Sequence, residues 1–265
     1  MSIVAVVSDL HVGSTTAIAP PTFRIHVRER REAQEVNANE LQRWLYECWQ
    51  DYWGYVFGLA KRKRERVYIL IMGDVIDGDR SRGVQSIPEV QDQMNVAEEL
   101  LEPIVHRARA CYGVIGTAYH GGAAGVNESK VYRDLGFAEY GQHLAKRADG
   151  LVHDMGHHGR AGRRSWTSQA PGMAAEAIID YATQGLPPPA YVWRGHNHHI
   201  DDSGTKVAGT RAIALPSWEL KTEFGWHFSL ERSDIGGYIV ADGVLDESRC
   251  RYFGSPDNIE VTDVD

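Results

Sequence analysis

A short apolar run followed at once by a cluster of Asp, His or Gly occurs five times along this chain, and no other feature limits its fold as tightly. The runs are Ile3 to Val7, Val67 to Met72, Tyr112 to Ile115, Leu151 to Met155 and Ala190 to Trp193. The clusters that follow are Asp9-Leu10-His11, Gly73-Asp74-Val75-Ile76-Asp77, Gly116-Thr117-Ala118-Tyr119-His120, Gly156-His157-His158-Gly159 and Gly195-His196-Asn197-His198. Short apolar runs bounded by Gly and polar residues read as buried strands. Each cluster therefore stands where a strand gives way to a loop, and in open α/β sheets ligands bind beyond the carboxyl ends of the strands.

Between the runs the apolar spacing turns helical. Leu41, Trp44, Leu45, Cys48, Trp49, Tyr52, Val56 and Phe57 recur every three or four residues, with Asn39 or Asn37 as the N-cap. The aromatic residues on that face read as packing against a sheet, with base stacking as the alternative. Lys61 to Arg66 closes the helix, where cations complement the negative end of the dipole, and reads as a solvated end rather than a nucleic-acid patch. A second helix starts at Pro88 and carries Val90, Met94, Ala97, Leu100, Leu101, Ile104 and Val105 toward Arg109, with a kink expected near Pro103. Further helices are expected over 129–147 and 174–183. Past Lys206 the pattern predicts strands over 207–215, over 237–240 ending in the Asp242-Gly243 turn, and over 249–253. Residues 13–28, with Pro20-Pro21, are expected to loop over the mouth of the site. The fold class is α/β, with one domain over 1–254 and an acidic tail over 255–265.

Composition removes several function classes. The 265-residue chain has a formal net charge of -8, which argues against a protein that coats nucleic acid, since such binding rests on a basic surface. An enzyme gripping a few phosphates is still allowed. No apolar run approaches the roughly 18 residues of a membrane span, and Met1 to Val7 enters a strand with no basic leader, so an intracellular protein with no membrane partner is expected. Cys48, Cys111 and Cys250 are odd in number and far apart, which supports neither a disulfide framework nor a zinc knuckle.

Carboxylate and imidazole together suit first-row transition ions, whereas magnesium and calcium prefer all-oxygen sites. One such cluster is weak evidence; five in order, each at a strand end, describe a two-metal site. Arg160, Arg163 and Arg164 follow directly on the histidine pair and either grip a substrate phosphate, which guanidinium matches in bidentate geometry, or form a solvated loop. Trp218, in Pro216-Ser217-Trp218-Glu219, reads as core rather than as a stacking surface for a base or sugar.

The order Asp-x-His, Gly-Asp-x-x-Asp, a Gly-led third cluster with a histidine, a further histidine and Gly-His-x-His resembles the calcineurin-like metallophosphoesterase superfamily, over roughly residues 3 to 220. The resemblance implies a four-layer αββα sandwich of two mixed sheets flanked by helices, with a dinuclear centre along one edge. It implies that Asp9, His11 and His198 bind a first metal, that Asp74 bridges, and that His196 with His157 or His158 binds a second, His157 being preferred. Asp77 matches a position that orients a ligand histidine.

The third cluster departs from the family pattern, because Thr117 replaces an asparagine ligand and the histidine moves to His120. Either His120 reaches the second metal, or Thr117 binds it while His120 contacts the phosphate and protonates the leaving oxygen; the second is favoured. This Gly-Thr-x-x-His form resembles a subset of phage-encoded relatives. The implied activity is hydrolysis of phosphate mono- or diesters by a hydroxide held between two divalent ions, with manganese expected first and iron, zinc or nickel as alternatives. Nucleotide or nucleic-acid diesters are slightly favoured as substrates, and a non-catalytic scaffold on the same fold is the alternative. Oligomeric state is not legible.

Overall fold

Strand β1 (Ser2–Val7) is buried on both faces, as a near-continuous apolar run requires. Ile3, Ala5 and Val7 point to one layer and Val4 and Val6 to another, because successive side chains of a strand alternate. The structure is a computed structural model in which residues 2–26, 32–79, 84–148, 150–158, 168–204, 207–222 and 232–256 are described.

Beside β1 lie β4 (Arg66–Ile71), β5 (Ala110–Val114) and β6 (Glu139–Gly141), all parallel. On its other side β12 (Tyr238–Ala241) and β13 (Val244–Asp246) pair antiparallel, giving the order β13-β12-β1-β4-β5-β6. Asp242 and Gly243 join the last two at φ 53° and 74°, the left-handed pair that a tight hairpin turn demands. The second sheet has the order β10-β11-β9-β8-β7, from β7 (His143–Ala148), β8 (Leu151–Gly156), β9 (Tyr191–Arg194), β10 (Asp201–Asp202) and β11 (Arg211–Ala214). Strands β8, β9 and β11 are parallel and the two edge strands antiparallel.

The sheets meet through Val4, Val6, Leu70, Met72 and Val114 on one side and Leu144, Met155, Trp193, Ile213 and Leu215 on the other. Helices α1 (Glu40–Lys63), α2 (Val90–Val105) and α3 (Val126–Asp134) contribute to the core on the outer face of the first sheet. Helix α4 (Ala170–Thr183) covers the second through Met173, Ala174 and Ala177 against Val192, Ala212 and Ala214. This is the expected αββα order. Asn39 caps α1 in a full capping box with Gln42, and Arg64 closes it in the left-handed conformation. The α1 aromatics Trp49, Tyr52, Trp53 and Phe57 are buried, which removes base stacking. Trp218 is fully buried and stands edge-on to Trp49, with centroids 4.8 Å apart, so it too is core.

Three expectations need correction. The helix over 129–147 stops at Asp134: Gly136 turns the chain at φ 75°, and residues 139–148 become β6 and β7. Ala, Lys and Arg in His143–Ala148 favour a helix locally, but every residue of β7 pairs with β8, and such pairing overrides propensity. Residues 249–253 hold no strand, only a bridge from Tyr252 to Ile235. The 13–28 loop contains β2 (Thr22–Ile25), hydrogen-bonded to β3 (Gln34–Asn37), and its Ala17 to Ala19 segment is buried, with Ile18 N–H bonded to Trp218 O. Pro103 lies inside α2, which ends at Val105. Cys48, Cys111 and Cys250 are free thiols. Among the described residues no helix is long and apolar enough to cross a membrane.

Candidate metal centre

Asp9 and His11 follow β1, Asp74 and Asp77 follow β4, Thr117 and His120 follow β5, His157 and His158 follow β8, and His196 and His198 follow β9. All leave the carboxyl ends of parallel strands. Asp9, His11, Asp74, His196 and His198 have φ of 53°, 44°, 49°, 71° and 56°, five of the nine left-handed non-glycine residues among those described. Such conformations cost free energy and persist where the surroundings impose them, most often at functional sites. Here backbone bonds impose them: Asp9 N–H donates to Gly73 O at 3.0 Å, His11 N–H to Asp74 O at 2.9 Å, and Trp218 N–H to Asp9 O at 2.9 Å. Two glycines give the space. A Cβ at Gly116 would lie 2.1 Å from Asp74 Oδ1, and one at Gly195 would lie 2.2 Å from Ser8 Oγ.

Two groups of donors face each other. In the first, His11 Nε2 lies 3.1 Å from His198 Nε2, and Asp9 Oδ1 lies 3.5 Å from His198 Nε2 and 3.8 Å from His11 Nε2. Metal–donor bonds of about 2.1 Å place neighbouring donors about 3.0 to 3.5 Å apart, so this triangle has the size of a coordination face. The second group is His157, His158 and His196, whose rings lie 4.9 to 5.3 Å apart. Asp74 belongs to both sides, grouping with Asp9 and His157 and also with His11 and His120.

His157 tests whether a cation fits. Its Nδ1 donates to Met72 O at 2.6 Å, which puts the proton of the neutral ring there. In the neutral ring, buried Nε2 then turns a lone pair toward Asp74 Oδ2 at 3.0 Å, an arrangement that either a proton or a metal ion between the two relieves. His11 Nδ1 is likewise buried without a hydrogen-bond partner. Charge reinforces the fit. Burial resists protonation of His11, but Glu219, Asp9 and Asp74 outweigh it and lift its pKa to about 10. Burial resists it in His157 as well, and Asp74 with Asp9 lifts that ring to about 9. Burial and the neighbouring His157 push His196 down to about 4. Burial opposes the charge of Asp9 and Asp74, yet the surrounding histidines hold both below the ordinary carboxylate range.

The third cluster turns toward Asp74. Thr117 donates its N–H to Asp74 Oδ1 at 2.7 Å, and its Oγ1 lies 3.1 and 3.3 Å from the two carboxylate oxygens. His120 Nδ1 donates to Asp77 O at 2.6 Å, and its ring stands edge-on to His11 with centroids 4.4 Å apart. His120 therefore groups with His11 and Asp74, apart from the group of three histidines. Burial and the nearby His11 lower its pKa. Asp77 orients His120 through its main-chain carbonyl, while its Oδ2 accepts from Gln85 at 2.6 Å. Arg160, Arg163 and Arg164 lie outside the described residues.

Two mixed sheets face to face, helices on both outer faces, and Asp/His clusters at adjoining strand ends decide the fold. It is a four-layer αββα sandwich, the architecture that the resemblance implies. No protein-family model matches the chain, and no curated protein matches it. Solved structures similar to it include an archaeal phosphodiesterase, 8% identical over 90% of this chain and 93% of that one, with a TM-score of 0.42. YfcE, a phosphoesterase from E. coli, is 13% identical over 92% of this chain and 90% of its own, with a TM-score of 0.43. Vps29 from Entamoeba histolytica, in complex with Zn2+, is 13% identical over 92% and 96%, with a TM-score of 0.39.

On this scaffold two acidic residues join the site that sequence reasoning missed. Glu219, 5% exposed, places Oε2 3.8 Å from both His11 Nε2 and His198 Nδ1. It stands next to Trp218, five residues past β11, a position equivalent to that of the other clusters. Glu128, fully buried in α3, accepts the N–H groups of Val75 at 2.7 Å and Gly116 at 2.6 Å, tying the second cluster to the third. Burial and the Asp74 charge raise its pKa to about 7. No sequence signal marked it, because it sits in a helix between clusters.

Proposed function

We propose that this chain is a metal-dependent phosphoesterase with a dinuclear centre, acting on phosphate mono- or diesters, with nucleotide or nucleic-acid diesters favoured. The observation that carries the reading is the pair of donor groups sharing Asp74. Asp9, His11 and His198 would hold one divalent ion, His157 and His196 the other, and Asp74 both. Manganese is the first expectation and iron, zinc or nickel the alternatives. When bound, such a pair lowers the pKa of water and neutralises phosphoryl charge for in-line attack.

The chain's own groups do the rest. Thr117 holds Asp74 in place through two donors, a supporting role in place of the direct ligation its position suggested. His120, with Nδ1 held on the Asp77 carbonyl, is proposed to take up a proton on Nε2 when an anionic phosphate is bound and to pass it to the leaving oxygen. Arg160, Arg163 and Arg164 are proposed to grip a non-reacting phosphate. A single domain over 1–254 is part of the same proposal.

The test is hydrolysis of bis-p-nitrophenyl phosphate and p-nitrophenyl phosphate by purified protein with each metal. Turnover is expected with manganese, and Asp74→Asn or His196→Ala should reduce it by at least about a thousandfold, the scale on which chemistry depends on a metal-activated nucleophile. No turnover with manganese, iron, zinc or nickel would instead favour a non-catalytic scaffold. For His120→Ala the rate should fall by about a hundredfold, the low end of general-acid contributions, with metal content unchanged. Loss of an ion in that variant would make His120 a ligand.

A further inference from the structure

The proposed second metal lacks one donor. Where the family pattern supplies an amide oxygen this chain has Thr117, whose N–H and hydroxyl are both engaged with Asp74. His157, His196 and Asp74 then leave a divalent ion with three protein donors, and four is the usual complement of a closed site.

His158 stands beside the gap. In an extended strand only one of two adjacent side chains faces a given side, so a His-His pair there would contribute a single ligand. Strand β8 ends at Gly156, however, and both histidines lie beyond it, where that alternation no longer applies. The rings of His157 and His158 are edge-on at 5.1 Å and 77°, and those of His158 and His196 at 4.9 Å and 69°. One nitrogen from each of His157, His158 and His196 lies within 4.8 Å of the other two. Three imidazoles so disposed can converge on one ion, with His157 presenting Nε2 because its Nδ1 is bound to Met72 O.

We infer that His158 is a ligand of the second metal and takes the place of the amide lost at Thr117. The second pole is then three imidazoles and the shared Asp74 carboxylate. The exchange of an amide oxygen for a nitrogen donor shifts this pole toward borderline ions such as zinc, nickel or cobalt. The first pole keeps the carboxylates of Asp9 and Asp74, with Glu219 close by. The inference rests on the two-metal reading above and refines which side chains build its second half.

The experiment measures bound metal by elemental analysis after dialysis against Zn2+ or Mn2+, with affinities from calorimetry, on the full chain. Wild type should hold two ions. His158→Ala, at a surface position that a folded chain tolerates, should retain the first and bind the second at least about tenfold more weakly, the lower end of losses seen even for residues that only support a ligand. Thr117→Ala, which keeps the stronger main-chain N–H bond to Asp74 Oδ1, should keep two. Thr117→Asn placed in the His158→Ala background should restore the second ion, since the side-chain amide returns to the position the pattern requires. Co2+-loaded protein gives a reading independent of turnover, because loss of one nitrogen donor alters the visible absorption of the second site. Two ions at wild-type affinity in His158→Ala would overturn the inference, and so would loss of an ion in Thr117→Ala. A double variant no better than His158→Ala would overturn the exchange of donors. Wild type holding fewer than two ions would sink the dinuclear reading itself, a result distinct from all of these.

Discussion

His11 and His157 are the residues whose chemistry depends most on what fills the site. Both have folded-state pKa values raised from an ordinary 6.5, to about 10 and about 9. Without metal the folded protein binds more protons than the unfolded chain between those limits. Their contribution to stability is therefore complete below pH 6.5 and is lost as pH rises through 9 to 10. The melting temperature of the metal-free protein should fall between pH 6.5 and 9.5. Bound metal requires neutral imidazoles, so its affinity rises with pH, and the manganese-loaded protein should not follow that decline. Melting curves with manganese and with a chelator check this; a metal-free protein equally stable across that range would contradict it. Glu219 acts on the same ring. Replacing its buried carboxylate in Glu219→Gln removes a negative charge beside His11 and His198, and should weaken the first ion by about ten- to a hundredfold with the second unchanged. A titration in which both ions bind as in wild type would remove Glu219 from the site.

Among the elements, the loops after β4 and β5 are the least independent. Each has a turn glycine of its own, Gly73 at φ 89° and Gly122 at φ 78°, but Glu128 of α3 ties the two together by accepting Val75 N–H and Gly116 N–H. Glu128→Ala leaves two buried donors unpaired, at about 1 to 3 kcal/mol each. Denaturant unfolding should show a loss of about 2 to 5 kcal/mol, and metal affinity should drop because Asp74 and Thr117 move with those loops. A stable variant with intact metal binding would show the tie to be dispensable. Helix α1 illustrates the opposite case. Its aromatic stripe, its Asn39 cap and its basic last turn are all local, and the sequence predicts them within a residue or two. The 129–147 segment differs because Ala, Lys and Arg carry helical propensity, which hides the hairpin signal of Asp149-Gly150 in the sequence between 143–148 and its immediate partner β8.

At the scale of the molecule, two sheets bring strand ends together that lie far apart in sequence. Strands β1 and β4 run side by side with Val7 opposite Ile71, and β8 and β9 with Gly156 opposite Arg194. The first pairing sets Asp9 beside Asp74; the second sets His157 beside His196. Trp218 sits where the second sheet's chain crosses back toward α1, donating its N–H to Asp9 O while its ring packs on Trp49 and Tyr52. Trp218→Ala should therefore cost about 3 to 5 kcal/mol, as large aromatic truncations in cores do, and should loosen Asp9 as well. A variant that unfolds at the wild-type midpoint would mean that the ring is not part of the core.

The sequence by itself determined the kinds of donor, their order and their place at strand ends, because each cluster and the apolar run before it are contiguous and carry their own periodicity. Only the tertiary structure decided which donors meet. His120 belongs with His11, His158 joins His157 and His196, Thr117 turns to Asp74, and Glu128 and Glu219 enter the site, all through strand order, register and the left-handed turns that aim each side chain. Those are set by packing between segments that lie tens of residues or more apart in the sequence, and no local pattern encodes such pairings.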